Sequence, residues 1–482
     1  MFWRLVVVPD ASSPTNVLPE ETSMNLFLRL HLMVLMVAGI VIAPIASATN
    51  GYFLIGYGAK SRGIGGAGVA YPQDALAPAS NPAGIAFVGS RLDVGLEFFS
   101  PPRKAGTPDD GGGLFAFGNG TVKSGSNTFL IPSLGFAYKF NRRMSIGFAA
   151  FGNGANTRYD AQDNFFDLLA DDRYTVGVQL MQMQMLPTIA YRVDKYNTLG
   201  ASLAIGVQTF RAYGIGDFGI PEFQFSSDNA NLSNRGNDWS YGGGVRVGWM
   251  GRFFDKRLSF GINYASRVYM TRFEKYQGLF AENGDFDIPE NYAVGFALKL
   301  TSKLTIAGDI NRIMYSNVAS VGNKHPTTSI QDPCTRPLGL DPSACAPGRT
   351  EAPEPKDHAL GAKNGWGFGW KDATAFKLGA VYDVNSRWVL RAGVNYGKSV
   401  IRDNQLLFNL LAPAVVKWHA TIGATYAPGR NHEFNFNYMH GFKNAQSCDA
   451  PDCVTMFTQG QGQFVAVEMK INSLGVSYAY KF

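Results

Sequence analysis

The last nine residues constrain the fold more than any other stretch. Leu474, Val476, Tyr478, Tyr480 and Phe482 occupy alternate positions, with Gly475, Ser477, Ala479 and Lys481 between them. A period of two is the strand period, and here it puts an apolar, aromatic row on one face and small or polar residues on the other. A strand lying between lipid and a lumen has this pattern, and a strand of a soluble sandwich shares the alternation. The pattern recurs. Trp418, Ala420, Ile422, Ala424 and Tyr426 alternate with Lys417, His419, Thr421, Gly423 and Thr425. Tyr292, Val294, Phe296, Leu298 and Leu300 form another row. Met181, Met183 and Met185 alternate with Gln182 and Gln184, and at this spacing the methionines read as lipid-facing filler rather than a binding stripe.

Export separates the two environments. Leu32 to Ala46 is an apolar run preceded by Arg29 and His31 and closed by Ala46-Ser47-Ala48. That is the layout of a secretory signal peptide, and the run is too short for a membrane anchor. The reading places the initiator at Met24, residues 1–23 as an upstream extension, and cleavage after Ala48. No other run resembles a transmembrane helix. Hydrophobic residues are 46% and aromatics 13% of the 482-residue chain. Charged residues are 17%, against about 25% in soluble domains. An exported chain this apolar is either a large soluble β protein or a closed barrel, since lipid admits only helices and closed barrels. The formal charge of +6 comes from acids and bases mixed along the chain, which excludes a nucleic-acid surface.

Six short polar turns punctuate the pattern: Asn141-Arg142-Arg143, Asp194 to Asn197, Asp255-Lys256-Arg257, Thr301-Ser302-Lys303, Asp383 to Arg387, and Pro428 to Asn431. Longer connections lie between them. Short turns at one end and long loops at the other are the asymmetry of outer-membrane barrels. Six turns join twelve strands, and one strand before and one after make fourteen. The expectation is an all-β chain: a 14-stranded antiparallel transmembrane β-barrel over 90–482. Cys334, Cys345, Cys448 and Cys453 fall in long connections on the side opposite the short turns. Of three possible connectivities, Cys334–Cys345 and Cys448–Cys453 close the shortest loops, and they read as staples of extracellular loops. No nearby residues complete a metal site, and no cofactor is expected.

Residues 49–89 do not alternate. They carry glycines, prolines and small residues suited to short helices and tight turns. Ahead of a barrel, such a segment reads as a small helical plug in the lumen. Gly63-Ile64-Gly65-Gly66-Ala67-Gly68 matches GxGxxG, but the parallel strand that a dinucleotide loop requires is missing, so close packing against barrel walls is the better reading.

On these residues the chain resembles the FadL/TodX family of outer-membrane transporters for long-chain fatty acids and aromatic hydrocarbons. The resemblance runs from Asn50-Gly51-Tyr52-Phe53 through the glycine run to Pro72-Gln73-Asp74-Ala75 and Asn81-Pro82-Ala83, which matches the family's NPA motif. Arg391 to Tyr396 and Tyr438-Met439-His440-Gly441 resemble its strand motifs. The aromatic final strand resembles the closing strand of bacterial outer-membrane barrels. The resemblance implies a 14-stranded barrel with an N-terminal hatch and a sideways exit through a kinked third strand. Here that strand would be Met144 to Asp160, with Phe151, Gly152, Asn153 and Gly154 at the kink.

The implied function is passive uptake of a hydrophobic small molecule across the outer membrane of a Gram-negative bacterium, by a monomer in contact with membrane lipid and lipopolysaccharide. A fatty acid would need a cation, and the candidates are Arg211, Arg246, Lys377, Arg391, Lys417 and, less directly, Arg267. An aromatic hydrocarbon would need none. A general or ion-selective porin is the rival, and a plug speaks against it. An enzyme would need a nucleophile–base pair. None is visible around His325, His358, His419, His432 or His440. An adhesin or phage-receptor role for the loops could coexist with transport.

Overall fold

The computed structural model describes residues 50–107, 120–160, 166, 175–219, 225–325, 358–448 and 465–482. The signal peptide and upstream extension fall outside these residues. So do Cys334, Cys345 and Cys453, while Cys448 lies within them and is disulfide-bonded.

The alternation becomes a closed wall of antiparallel strands. In chain order they are β1 (Arg91–Ser100, then Arg103–Thr107), β2 (Gly120–Lys123, then Phe129–Lys139), β3 (Met144–Asn156, then Tyr159–Asp160) and β4 (Thr175–Arg192). Next come β5 (Asn197–Tyr213), β6 (Asp238–Phe253), β7 (Leu258–Ala265, then Tyr269–Met270), β8 (Asn291–Lys299) and β9 (Leu304–Ile313). The wall ends with β10 (Ala373–Asp383), β11 (Trp388–Gly397), β12 (Trp418–Tyr426), β13 (His432–Cys448) and β14 (Val465–Lys481). Four strands consist of two of the eighteen hydrogen-bonded segments, which leaves fourteen strands. β1 pairs with β2 on one side and with β14 on the other, from Arg91↔Lys481 to Ser100↔Asn472, and this closes the ring. The break in β1 falls at Pro101-Pro102, where two residues offer no N–H to the ladder.

All six short turns expected from the sequence join neighbouring strands at one end. The outward rows are apolar. Leu203 and Ile422, each 60% exposed, are too open for a soluble protein's core and suit a lipid-facing surface. Tyr138, Tyr191, Tyr382, Trp388, Tyr478 and Tyr480 are exposed near the short-turn end, as an interfacial aromatic girdle requires. No described helix is long and apolar enough to cross a membrane.

Residues 50–89 lie inside the ring. They hold a helix, Ala59–Arg62, and 3-10 turns at Ala77–Ala79 and Pro82–Phe87. The wall makes room for them with inward glycines at one level: Gly135 faces Ala75, Gly147 faces Ile85, Gly200 faces Ala83 and Gly248 faces Asn81. Gly261 and Gly295 face Val69, Gly379 and Gly393 face Ile64, and Gly423 faces Gly63. A side chain at most of these positions would overlap hatch backbone, so the strands that carry them are shaped to the hatch.

Candidate functional site

The wall has a seam. β2 and β3 pair from Lys139↔Ser145 to Ser133↔Phe151, and there the ladder stops. β2 stays paired with β1 as far as Phe99↔Phe129. β3 stays paired with β4 as far as Asn156↔Gln179. Residues 129–132 and 152–156 therefore belong to adjacent strands without pairing to each other. A bridge between Ser124 and Tyr159 closes the wall again above. The local sequence accounts for this. Pro132 has no N–H to give, and Gly152 and Gly154 weaken β3 from the other side.

β3 leaves the lipid face at the seam. Phe151 to Thr157 are buried at every position instead of alternating. The hatch bonds to β3 along this stretch. Leu54 N–H donates to Asn153 Oδ1 at 3.2 Å, Tyr57 OH donates to the same oxygen at 3.1 Å, and Gly154 N–H reaches the Tyr52 carbonyl at 3.4 Å. The Tyr57 and Phe151 rings lie 4.1 Å apart. A cavity lies between hatch and seam, lined by Leu54, Tyr57, Ile131, Pro132, Phe151 and Gly152. Arg62, ion-paired with Glu97, lines it from the hatch side.

The hatch is tied down at several points. Gly65 and Gly66 take φ of 68° and 83°, a backbone that glycine adopts without strain. Asp309 on β9 accepts from the N–H groups of Gly68 (2.7 Å) and Val69 (3.0 Å). Lys60 reaches Glu433 on β13 at 2.5 Å, and Arg91 reaches it at 2.8 Å. From the loop beyond β9, Tyr315 OH donates to the Asn50 carbonyl at 2.6 Å and accepts from Tyr52 N–H at 3.2 Å. Burial raises the Tyr315 phenol well above its ordinary range, so it remains a donor.

Asn81 of the NPA motif is an organiser of the hatch. Its Oδ1 accepts from Ala83 N–H at 3.0 Å and caps the turn that Pro82 opens. Its Nδ2 donates to Val69 O at 2.8 Å and Trp249 O at 3.0 Å. Asn81→Ala removes the cap and the side-chain bonds to the Val69 and Trp249 carbonyls, at about 2 kcal/mol or more. Hydrogen exchange over residues 69–87 is expected to speed up roughly thirty-fold, as that energy implies for local opening. Unchanged exchange would remove this role.

Three cation candidates point into the lumen and hold the hatch. Arg246 donates to the Ala79 carbonyl. Lys377 approaches Gly66 O at 3.5 Å. Arg391 donates to Gln73 Oε1 at 2.8 Å and Thr425 Oγ1 at 2.7 Å. Lys417 is half-buried just before β12. Arg267 sits at the loop end of β7, 3.6 Å from Asp287. Arg211 is placed differently: it continues the outward row of Leu199, Leu203, Ile205 and Val207 and is exposed, outside the lumen. Residue-type reasoning makes it a cation near a strand end, whereas strand parity puts it on the outer face. His419 does face the lumen, buried. Sequence reasoning missed Arg62, Tyr57 and Glu97. The signal for the first was present, since Lys60 and Arg62 are basic residues in a stretch otherwise made of small and apolar ones.

Known proteins share this fold. The sequence profile described as outer membrane protein transport protein (OMPP1/FadL/TodX) matches residues 39–482. The toluene transporter TodX of Pseudomonas putida superposes with a TM-score of 0.60 at 16% identity, covering 89% of this chain and 99% of its own. A FadL homologue of Pseudomonas aeruginosa gives a TM-score of 0.63 at 14% identity, covering 90% and 100%. The toluene transporter TbuX of Ralstonia pickettii gives 0.57 at 16% identity, covering 89% and 99%. At these identities the likeness is one of fold. No curated protein matches by sequence.

Proposed function

The chain belongs to the OMPP1/FadL/TodX family of outer-membrane transport proteins, and from that premise we propose that it takes up hydrophobic compounds by passive, hatch-gated diffusion with sideways exit between β2 and β3. As a family member it is a transport channel of the Gram-negative outer membrane and not an enzyme. The observation that carries the finer reading is the unpaired stretch of β3 beside Ser133↔Phe151, filled by Tyr52, Leu54 and Tyr57 of the hatch.

An apolar solute gains roughly 0.8 kcal/mol per methylene on leaving water, so a dry, apolar passage attracts it where a water-filled pore does not. The cavity that abuts the seam offers such a solute an apolar side at Leu54, Ile131, Pro132 and Phe151, with the Arg62–Glu97 ion pair in its lining as well. The bonds from the hatch to Asn153 are few, so a shift of residues 52–57 opens the cavity toward the membrane. One chain encloses the whole route, and a monomer suffices.

Cargo chemistry divides at the cations. A fatty-acid carboxylate must displace Arg246, Lys377 or Arg391 from the hatch groups they hold, or use Lys417. An aromatic hydrocarbon makes no such demand, and this favours it as the second reading. Growth of a deletion strain on oleate and on toluene separates the two.

The route is tested by Gly152→Leu and Gly154→Leu. Filling the seam is expected to lower uptake of labelled oleate and toluene at least tenfold, while heat-dependent gel mobility shows an intact barrel. Unimpaired uptake in either assembled variant would remove the sideways exit.

A further inference from the structure

Outside the lumen, four lysines stand on four adjacent strands at the loop end of the wall: Lys443 on β13, Lys470 on β14, Lys104 on β1 and Lys123 on β2. Their facing follows from register. Lys104 pairs with Glu468 and with Lys123, and Glu468 shares the parity of the outward residues Leu474, Tyr478 and Tyr480. Lys443 reaches Glu468 at 2.7 Å from the same side, with a side chain 62% exposed. Lys470 and Lys123 are exposed. Each lysine stands above an apolar row on its own strand: Phe442 on β13, Leu474 on β14, Phe98 on β1 and Leu130 on β2, all exposed. At about 4.8 Å per strand the cluster is roughly 15 Å wide.

Among the described residues the charges are not balanced. Lys104 and Lys123 lie directly opposite on one face, and like charges in that arrangement destabilise a sheet. Glu468 is the one acid paired with the group, and among the described residues Lys123 and Lys470 form no ion pair. Two exposed arginines elsewhere do have acid partners: Arg158 holds Asp160 at 2.8 Å and Arg312 holds Asp372 at 2.9 Å. A like-charge cluster directly above lipid-facing aromatics stands where the headgroups of the outer leaflet lie, and an anion from that layer would remove the repulsion.

We infer that Lys104, Lys123, Lys443 and Lys470 form a docking surface for the phosphate groups of the lipid A portion of lipopolysaccharide. Ammonium groups on flexible stems suit such phosphates, which lie at the headgroup level. The surface extends onto β2, the strand that carries one side of the seam, so a docked lipid A packs beside the seam.

The test uses the full-length barrel in nanodiscs, with rough lipopolysaccharide as the probe. The variant Lys104→Gln/Lys123→Gln/Lys443→Gln/Lys470→Gln is expected to bind it at least tenfold more weakly, and dephosphorylated lipid A is expected to bind wild type no better than the variant. Removing as many lysines from the opposite end, as in Lys139→Gln/Lys195→Gln/Lys256→Gln/Lys303→Gln, is expected to change nothing. Should the first variant fail to assemble, Lys123→Gln/Lys470→Gln is measured against an expected threefold loss. Equal binding by the lysine variants and wild type overturns the inference. So does equal weakening by the control, or competition by phosphatidylglycerol vesicles as effective as lipid A.

Discussion

Replacing Gly65 and Gly66 together by leucine is expected to turn a closed barrel into an open one. The two glycines hold φ of 68° and 83°, and a side chain in that region costs about 1–2 kcal/mol per residue. Space is the larger effect. A Cβ on Gly65 would sit 2.5 Å from the Val394 carbonyl oxygen of β11, and one on Gly66 would overlap the Ile55 carbonyl. Neither obstacle is a flexible side-chain end. The first is wall backbone and the second is the hatch's own, so the hatch must leave its seat. The outward rows are untouched, and the ring closes through β1–β14 pairing in which the hatch takes no part. Single-channel recording should therefore show little steady current for wild type and at least a tenfold rise for the variant, with assembly intact. A variant as closed as wild type would mean that residues 50–89 do not stopper the lumen. Large steady conductance in wild type would favour the porin reading instead.

The strand count, the six turns and the span of the third strand could be read from the sequence because each rests on a local signal. Period-two rows fix which face is apolar, and Asn, Asp, Pro and Gly at the turns fix where strands end. The glycine belt was not legible. Gly200, Gly248 and Gly393 look like any strand glycine until the hatch is seen against them, because a close approach between distant segments leaves no mark in either one alone. The cations were half legible. Parity correctly turned Arg246, Lys377 and Arg391 inward, but nothing local says that their donors go to Ala79, Gly66 and Gln73. Arg211 is misplaced when its position along the strand is weighed and its face is not. The seam shows the same limit. Gly152 and Gly154 announce a weak strand, whereas the place where pairing stops depends on Pro132 across the gap and on Leu54 and Tyr57 from the hatch.

Glu433→Gln is expected to destabilise the protein by about 3–5 kcal/mol, the range for breaking a buried ion pair by removing one partner. Glu433 joins hatch and wall. Its Oε2 takes Lys60 at 2.5 Å and Arg91 at 2.8 Å, and its Oε1 takes Lys481. Asp93 shares Arg91 at 2.7 Å and Asp74 lies near Lys60 and Arg91, so after substitution two carboxylates face three cations, and the one that joined all three is gone. An amide keeps the shape and loses the charge, which makes the change electrostatic rather than a packing defect. Lys60→Met is expected to be milder, because Arg91 and Lys481 remain to compensate Glu433 and the methionine stem preserves most of the contact. The double variant should then be less damaging than the sum of the two, since the hatch ammonium that Glu433→Gln would leave uncompensated is itself removed by Lys60→Met. Urea unfolding in bilayers measures all three. A loss under 1 kcal/mol for Glu433→Gln would mean that water screens the cluster. Strict additivity would mean that Lys60 and Glu433 do not act on each other, and that the hatch is held by its other ties, among them the bonds to Asp309 and Asn153 and the fit against the glycine belt.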